Sequence, residues 1–326
     1  MEIIYFSQYG RELKQYDETL NDKFYIEKYS TDHDTKYGYT GDSILYDLDS
    51  QLVLLYDKLR DIYFPNTDTY YQQIYSIPRF VQDAGQDSDC ALNTTLFNEL
   101  IETSHKIFGD DIYKHLYLVD SQYLIGTIQN HLTEMNDCFM RYYVDLALCP
   151  ILPYNEKEDT VLFQISSHSR LLAALVETYF IRAYSIMDIL TKIIYEIQHP
   201  LSVLDKYKKL VSSEKLWGDR KKFSFNNAVN TLFEDCELVK IIESLRNEII
   251  HNGTWELNPK IFIVYKNNAV IEKYMLFPDF EQSRLACVKN RKHFFSQNQK
   301  INELFPKLHF EFMNRLLKTI ELIQSL

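Results

Sequence analysis

Glycine and proline are scarce, at 8 of each in 326 residues. So few chain breakers argue against a turn-rich β architecture and favour long helices. The five cysteines, Cys90, Cys138, Cys149, Cys236 and Cys287, are far apart and odd in number, and they form no CxxC. That pattern excludes a disulfide framework and a cysteine zinc site. No apolar run approaches the length of about 18 residues that a membrane helix requires, so no membrane association is expected. The first twenty residues lack the basic start, apolar core and small-residue cleavage site of a secretory signal. These absences together lead us to expect a soluble, cytoplasmic protein. A Gly-rich phosphate loop, GxSxG and HExxH are also missing. Hence the chemistries those motifs carry are not expected, and neither a cofactor nor a metal ion is.

The chain does have aromatics, with 25 Tyr and 20 Phe, and 46% of its residues are hydrophobic. Such a composition folds rather than staying disordered. The net charge of −11 is uneven. Residues 1–160 hold 12 basic and 28 acidic side chains, a net of −16, whereas residues 161–326 hold 23 and 18, a net of +5. Charge asymmetry of this kind points to two parts with different partners. We expect a mainly α protein, with a mostly helical N-terminal region at 1–155 and a helical domain at 160–326. Pro153–Thr160 would be the linker.

The first forty residues are Tyr-rich and weakly periodic, which predicts mixed or irregular structure. Leu45, Leu48, Leu52, Leu55 and Leu59 recur at helical steps and predict an amphipathic helix over 42–64, closed by Pro65. Further helices are expected over 93–108 and 120–148. Leu172, Val176, Tyr179, Ala183, Ile186, Leu190, Ile193 and Ile197 follow alternating steps of four and three, a bundle-type seam over 167–197. Helices are then predicted over 202–211 and 224–251. The β-prone runs 261–265 and 269–276 flank Lys266-Asn267-Asn268 and read as a hairpin. Helices over 281–304 and 307–326, separated at Pro306, complete the reading.

The most informative stretch is SLRNEIIHNGTWE, Ser244–Glu256. It has a purely structural account. A cation suits the last turn of a helix, Asn-Gly supplies a left-handed stop, and Arg246 can pair with Glu243 one turn away. It also has a chemical account. RNA is cleaved without a metal when a base takes the 2′-OH proton, an acid protonates the leaving 5′ oxygen and a cation offsets charge on the phosphorane. Histidine serves either proton role, and arginine grips phosphate through a planar fork. On an ideal helix Arg246 and His251 point about 140° apart, whereas Asn247 and His251 share a face.

RNEIIHNG, at the end of the expected helix, resembles the R-x(4–6)-H motif of the HEPN superfamily, with Asn247 as the polar residue after the arginine. The resemblance covers residues 160–326. It implies a C-terminal HEPN-like helical bundle with the β-hairpin as an insertion. Many HEPN proteins are metal-independent endoribonucleases whose active site forms between two protomers, and they serve as toxins or phage-defence effectors. Carried over, Arg246 would stabilise the scissile phosphate, Asn247 would orient it and His251 would be the general acid/base. The implied partners are RNA, a second copy of the chain through its C-terminal domain, and an antitoxin or regulatory protein. The alternative is a catalytically silent HEPN-like interaction or nucleotide-binding module. A third reading is an unrelated helical scaffold.

Lys221, Lys222, Lys289, Arg291 and Lys292 are candidates to flank the RNA path. Other residues carry weaker signals. His131 with Glu134, and His105 and His115, lack the converging set that a metal needs. His168 fits the start of a helix. Tyr70, Tyr71 and Tyr75 could stack bases, but at helical spacing they fit a core better.

Overall fold

A computed structural model describes residues 2–15, 24–30, 35–151 and 159–326, apart from the side chains of residues 2, 80, 81, 220 and 221. The N-terminal segment forms strands β1 (Glu2–Ser7), β2 (Glu12–Leu13), β3 (Tyr25–Ser30) and β4 (Thr35–Tyr39). They make one antiparallel sheet in the order β2-β1-β3-β4. The expectation of mixed or irregular structure does not specify this sheet because the pairing is between segments, with Phe6 opposite Ile26 and Ile26 opposite Tyr39. A reading of local periodicity does not reveal such partners.

Helices then dominate: α1 (Ser43–Tyr63), α2 (Thr67–Ser76), α3 (Arg79–Asp83), α4 (Thr94–Phe108) and α5 (Asp111–Leu148). The α1 leucines at 48, 52, 55 and 59 are all fully buried, as their spacing requires. Asn93 caps α4, its side chain accepting from Leu96 N at 2.9 Å, which satisfies one of the free N–H groups of the first turn. Most of the expected linker lies outside the described residues, and Thr160 opens β5 (Thr160–Gln164). In α6 (Ser167–Gln198) every residue of the predicted seam is buried. Ser166 and Ser169 cap its start reciprocally, each side-chain oxygen accepting from the other's backbone N–H at 3.2 and 3.0 Å.

The helix predicted over 202–211 is not formed. Side chains claim this segment instead: Tyr207 OH donates to Asp120 at 2.6 Å and Tyr117 OH accepts from Val211 N at 3.3 Å. Short 3-10 turns follow at Val211–Glu214 and Trp217–Lys222. Helix α7 (Glu237–Asn252) starts later than the predicted 224. Before it, Asn230 is left-handed, Leu232 N donates to Thr319 Oγ1 at 2.9 Å, and Arg315 donates to Thr231 O at 3.2 Å. Those contacts replace helical ones.

Strands β6 (Ile261–Lys266) and β7 (Ala269–Tyr274) form the predicted hairpin, and β5 extends it to a three-stranded sheet in the order β5-β6-β7. Asn267 and Asn268 turn it with φ of 51° and 64°, as a two-residue turn with both centres left-handed demands. The helix predicted over 281–304 is wrong. That stretch contains the small hairpin β8 (Phe280–Glu281) and β9 (Arg284–Leu285), with Gln282, Ser283, Lys289 and Asn298 left-handed. Helix α8 (Ile301–Gln324) then runs through Pro306 instead of breaking there. Proline has no N–H, so the Asn302 carbonyl loses its helical donor. Tyr143 OH fills the gap at 2.9 Å.

The chain divides into two compact units. Unit 1 comprises Met1–Leu48, His131–Ser185 and Asn227–Thr319; unit 2 comprises Asp49–Asn130, Ile186–Asn226 and Ile320–Leu326. Each draws on both the 1–155 and the 160–326 stretches. Unit 1 is organised around buried Asn302. Its side-chain Oδ1 accepts from Tyr142 OH at 2.9 Å and Met275 N at 3.3 Å, and its Nδ2 donates to Gln8 O at 2.7 Å and Lys273 O at 2.8 Å. Lys273, itself buried, donates to the Ala147 and Cys149 carbonyls at 2.7 and 3.0 Å, closing the end of α5. Burial lowers its pKa. In unit 2, buried Glu196 accepts from Tyr117 OH at 2.8 Å.

Candidate active site

Helix α7 presents the motif at its last turns. Leu238, Ile241, Ile242, Leu245 and Ile249 are buried. Gly253 ends the helix with φ +94°, its N–H donating to Ile249 O at 3.1 Å. That is the left-handed stop the Asn-Gly pair predicts. The helix-stop part of the structural account therefore holds, with His251 standing in the last turn.

The same end carries a groove of about 430 Å³ lined by Asn247, Glu248, His251, Arg284, Cys287 and Lys292, among others. Asn247 and His251 share this wall, as their four-residue spacing requires. Both are exposed. Arg246 is not among the lining residues. Its guanidinium lies 4.6 Å from the Tyr184 ring centre and donates to Asn247 Oδ1 at 3.1 Å. Thus the motif arginine and histidine diverge; Asn247 accepts from the one and shares the groove wall with the other.

The centre of the groove's electrostatics is Glu248, a residue outside the sequence-predicted candidates. It is buried, with a side-chain exposure of 7%. Oε2 accepts from Lys292 Nζ and Asn252 Nδ2, both at 2.9 Å, and His293 Nε2 lies 3.3 Å from Oε1. A buried carboxylate is tolerated when cations and donors surround it in this way. The signal was present: position 248 lies seven after Ile241 and three after Leu245, on the buried stripe.

The opposite wall is the 279–297 loop, which buried Asp279 organises. Its Oδ2 accepts from Ser296 N at 2.8 Å and Ser296 Oγ at 2.6 Å, and its Oδ1 accepts from Gln297 N at 3.0 Å. Burial alone would raise its pKa, but these hydrogen bonds outweigh burial and leave it lowered. Three residues after the helix stop, Glu256 is pushed up by burial, an effect opposed by Lys260 at 3.0 Å.

The basic candidates fare differently. Lys292 reaches the groove but is paired with Glu248. Lys289 and Arg291 are exposed on the adjacent turn and do not line it. Lys222 belongs to unit 2 and pairs with Asp219 at 2.7 Å; the Lys221 side chain lies outside the described residues. His131 lies 3.7 Å from Glu134, which also meets Arg182. Among the described residues no group of three or more His, Cys, Asp or Glu could hold a metal ion, and no helix is long and apolar enough to cross a membrane. Of the three tyrosines, Tyr70 is buried, whereas Tyr71 and Tyr75 are exposed and stack with ring centres 6.2 Å apart. The expectation of a core role therefore holds only for Tyr70. Comparison of the chain with family models, curated proteins and solved structures finds no match.

Proposed function

We propose that this chain is a metal-independent endoribonuclease of HEPN type, acting as a homodimer through the region that carries α7, in the manner of a toxin or phage-defence effector. The observation that carries the reading is the sharing of one open groove by His251 and Asn247 with basic side chains. In the reaction a histidine takes the 2′-OH proton and the 2′ oxygen attacks phosphorus. The P–O5′ bond then breaks as a second histidine protonates the leaving oxygen. One protomer offers one His251, and the partner copy supplies the other. An arginine stabilises the phosphorane charge. The products are a 2′,3′-cyclic phosphate and a 5′-OH.

The test is RNA cleavage in EDTA by wild type and His251→Ala, with product ends analysed. Cyclic phosphate ends that disappear in the variant support the reading; a folded wild-type dimer that leaves several RNAs intact removes it. One observation favours a second reading, a catalytically silent interaction or nucleotide-binding module. Arg246 is engaged by Tyr184 and Asn247 rather than directed into the groove. Intact RNA together with specific capture of a nucleotide or protein at α7 would select it.

A further inference from the structure

Five cationic or protonatable side chains belong to the α7 groove or its rim, and four are already committed, His293 among them through its 3.3 Å contact with Glu248. Lys292 Nζ is held 2.9 Å from buried Glu248, so much of its charge is cancelled locally. His251 is the proton-transfer group of the proposed reaction. Arg246 lies over Tyr184 and on the Asn247 amide oxygen. Arg284 remains. It is exposed, lines the groove with His251 and Asn247, and its side chain has no hydrogen bond or ion pair among the described residues.

Its placement is built, not incidental. Arg284 follows the Gln282-Ser283 turn, whose φ values of 50° and 67° bring the chain sharply back. It pairs with Glu281 in the β8–β9 hairpin, and its neighbour Leu285 is buried. Strand β9 packs directly on α7. Ala286 N donates to Asp279 O at 2.9 Å, tying the return strand to the residue that orders the whole loop. A guanidinium fixed at its base and free at its tip suits a planar, doubly hydrogen-bonding anion such as a phosphodiester.

We propose that Arg284, not Arg246, is the cation that meets the substrate phosphodiester in the His251 groove. The inference rests on reading the groove as an RNA site. It leaves Arg246 a positioning role, holding Asn247 by its amide oxygen.

The experiment measures binding of a short fluorescent single-stranded RNA, 2′-O-methylated so that it cannot be cleaved, across a salt titration. Arg284→Ala should weaken binding about tenfold and reduce the slope of log affinity against log salt by about 0.7, the loss of one phosphate contact on a single strand. Arg284→Lys should restore the slope but not the full affinity. Arg246→Ala should keep the wild-type slope while slowing cleavage of unmodified RNA. The opposite pattern, slope lost with Arg246→Ala and kept with Arg284→Ala, overturns the assignment, as does a wild type that binds no RNA. Cleavage with an indifferent Arg284 sinks this inference alone. Arg284-dependent binding without cleavage sinks the nuclease reading and supports this one.

Discussion

His309 in unit 1 and His115 in unit 2 are both fully buried and both held neutral by desolvation, with pKa values lowered to about 3 and about 4. Their surroundings differ. His309 stacks on Phe139 at 3.9 Å, with Nε2 2.8 Å from Tyr39 OH and Nδ1 3.2 Å from Tyr179 OH. Tyr39 gives its own proton to Asn136 at 2.7 Å. His309 Nε2 must then carry the ring proton, and Nδ1 accepts from Tyr179. His115 has no hydrogen-bond partner at either nitrogen among the described residues, and its neighbours include the Phe64 ring at 6.5 Å. One histidine is a wired component; the other is an aromatic wedge with two unmet polar atoms. Burial alone is enough to keep a histidine neutral, but only partnering makes its chemistry necessary to the fold.

The largest test of that contrast is Asn302→Leu, which strips unit 1 of four hydrogen bonds at once, three buried and one part-buried. It should cost about 4 kcal/mol in equilibrium urea denaturation. A loss under about 1 kcal/mol would show that the saturated network of unit 1 contributes little. Acid comes next. Both histidines have folded pKa values below the unfolded value near 6.5, so the unfolded chain binds more protons. Their contribution to stability is complete above that value and falls as pH drops through it. By pH 4 each histidine should have lost about 3 kcal/mol of stabilisation.

Replacement by phenylalanine separates the two. His309→Phe orphans polar atoms and should destabilise by about 2 kcal/mol at neutral pH. His115→Phe removes orphans and should stabilise by about 1 kcal/mol, while flattening part of the acid response. Equal effects at the two sites would break the comparison. Smallest of all, Tyr184→Leu removes a cation–π contact that is not fully buried and should cost about 0.5–1 kcal/mol. A much larger loss would mean that the Arg246 contact also serves to organise the helix end.

Much of the helical frame is legible in the sequence because its cause is local. The seam from Leu172 to Ile197 and the α1 leucines repeat at the period of the helix that buries them. The Asn267-Asn268 turn and the Gly253 stop follow from which residues accept positive φ. The failures share a different cause. Segments 202–211, 224–236 and 281–300 have helix-compatible residues, but remote side chains claim their backbones: Tyr117, Thr319 with Arg315, and the Asp279 carboxylate. At the candidate site, the shared face of Asn247 and His251 was readable from their spacing. Arg284 was not, because a predicted helix concealed the hairpin that delivers it to the groove. Glu248 was readable in principle, as an acid on an apolar stripe.

The buried amine of Lys273 has a practical consequence. Its two carbonyl partners at the end of α5 leave it no access to solution while that end stays shut. An amine-reactive label can therefore reach it only during transient opening, when the strand and the helix terminus separate. The rate at which Lys273 acquires label, set against exposed lysines in the same tube, is a clock for the breathing of that joint, and it needs no mutation to run.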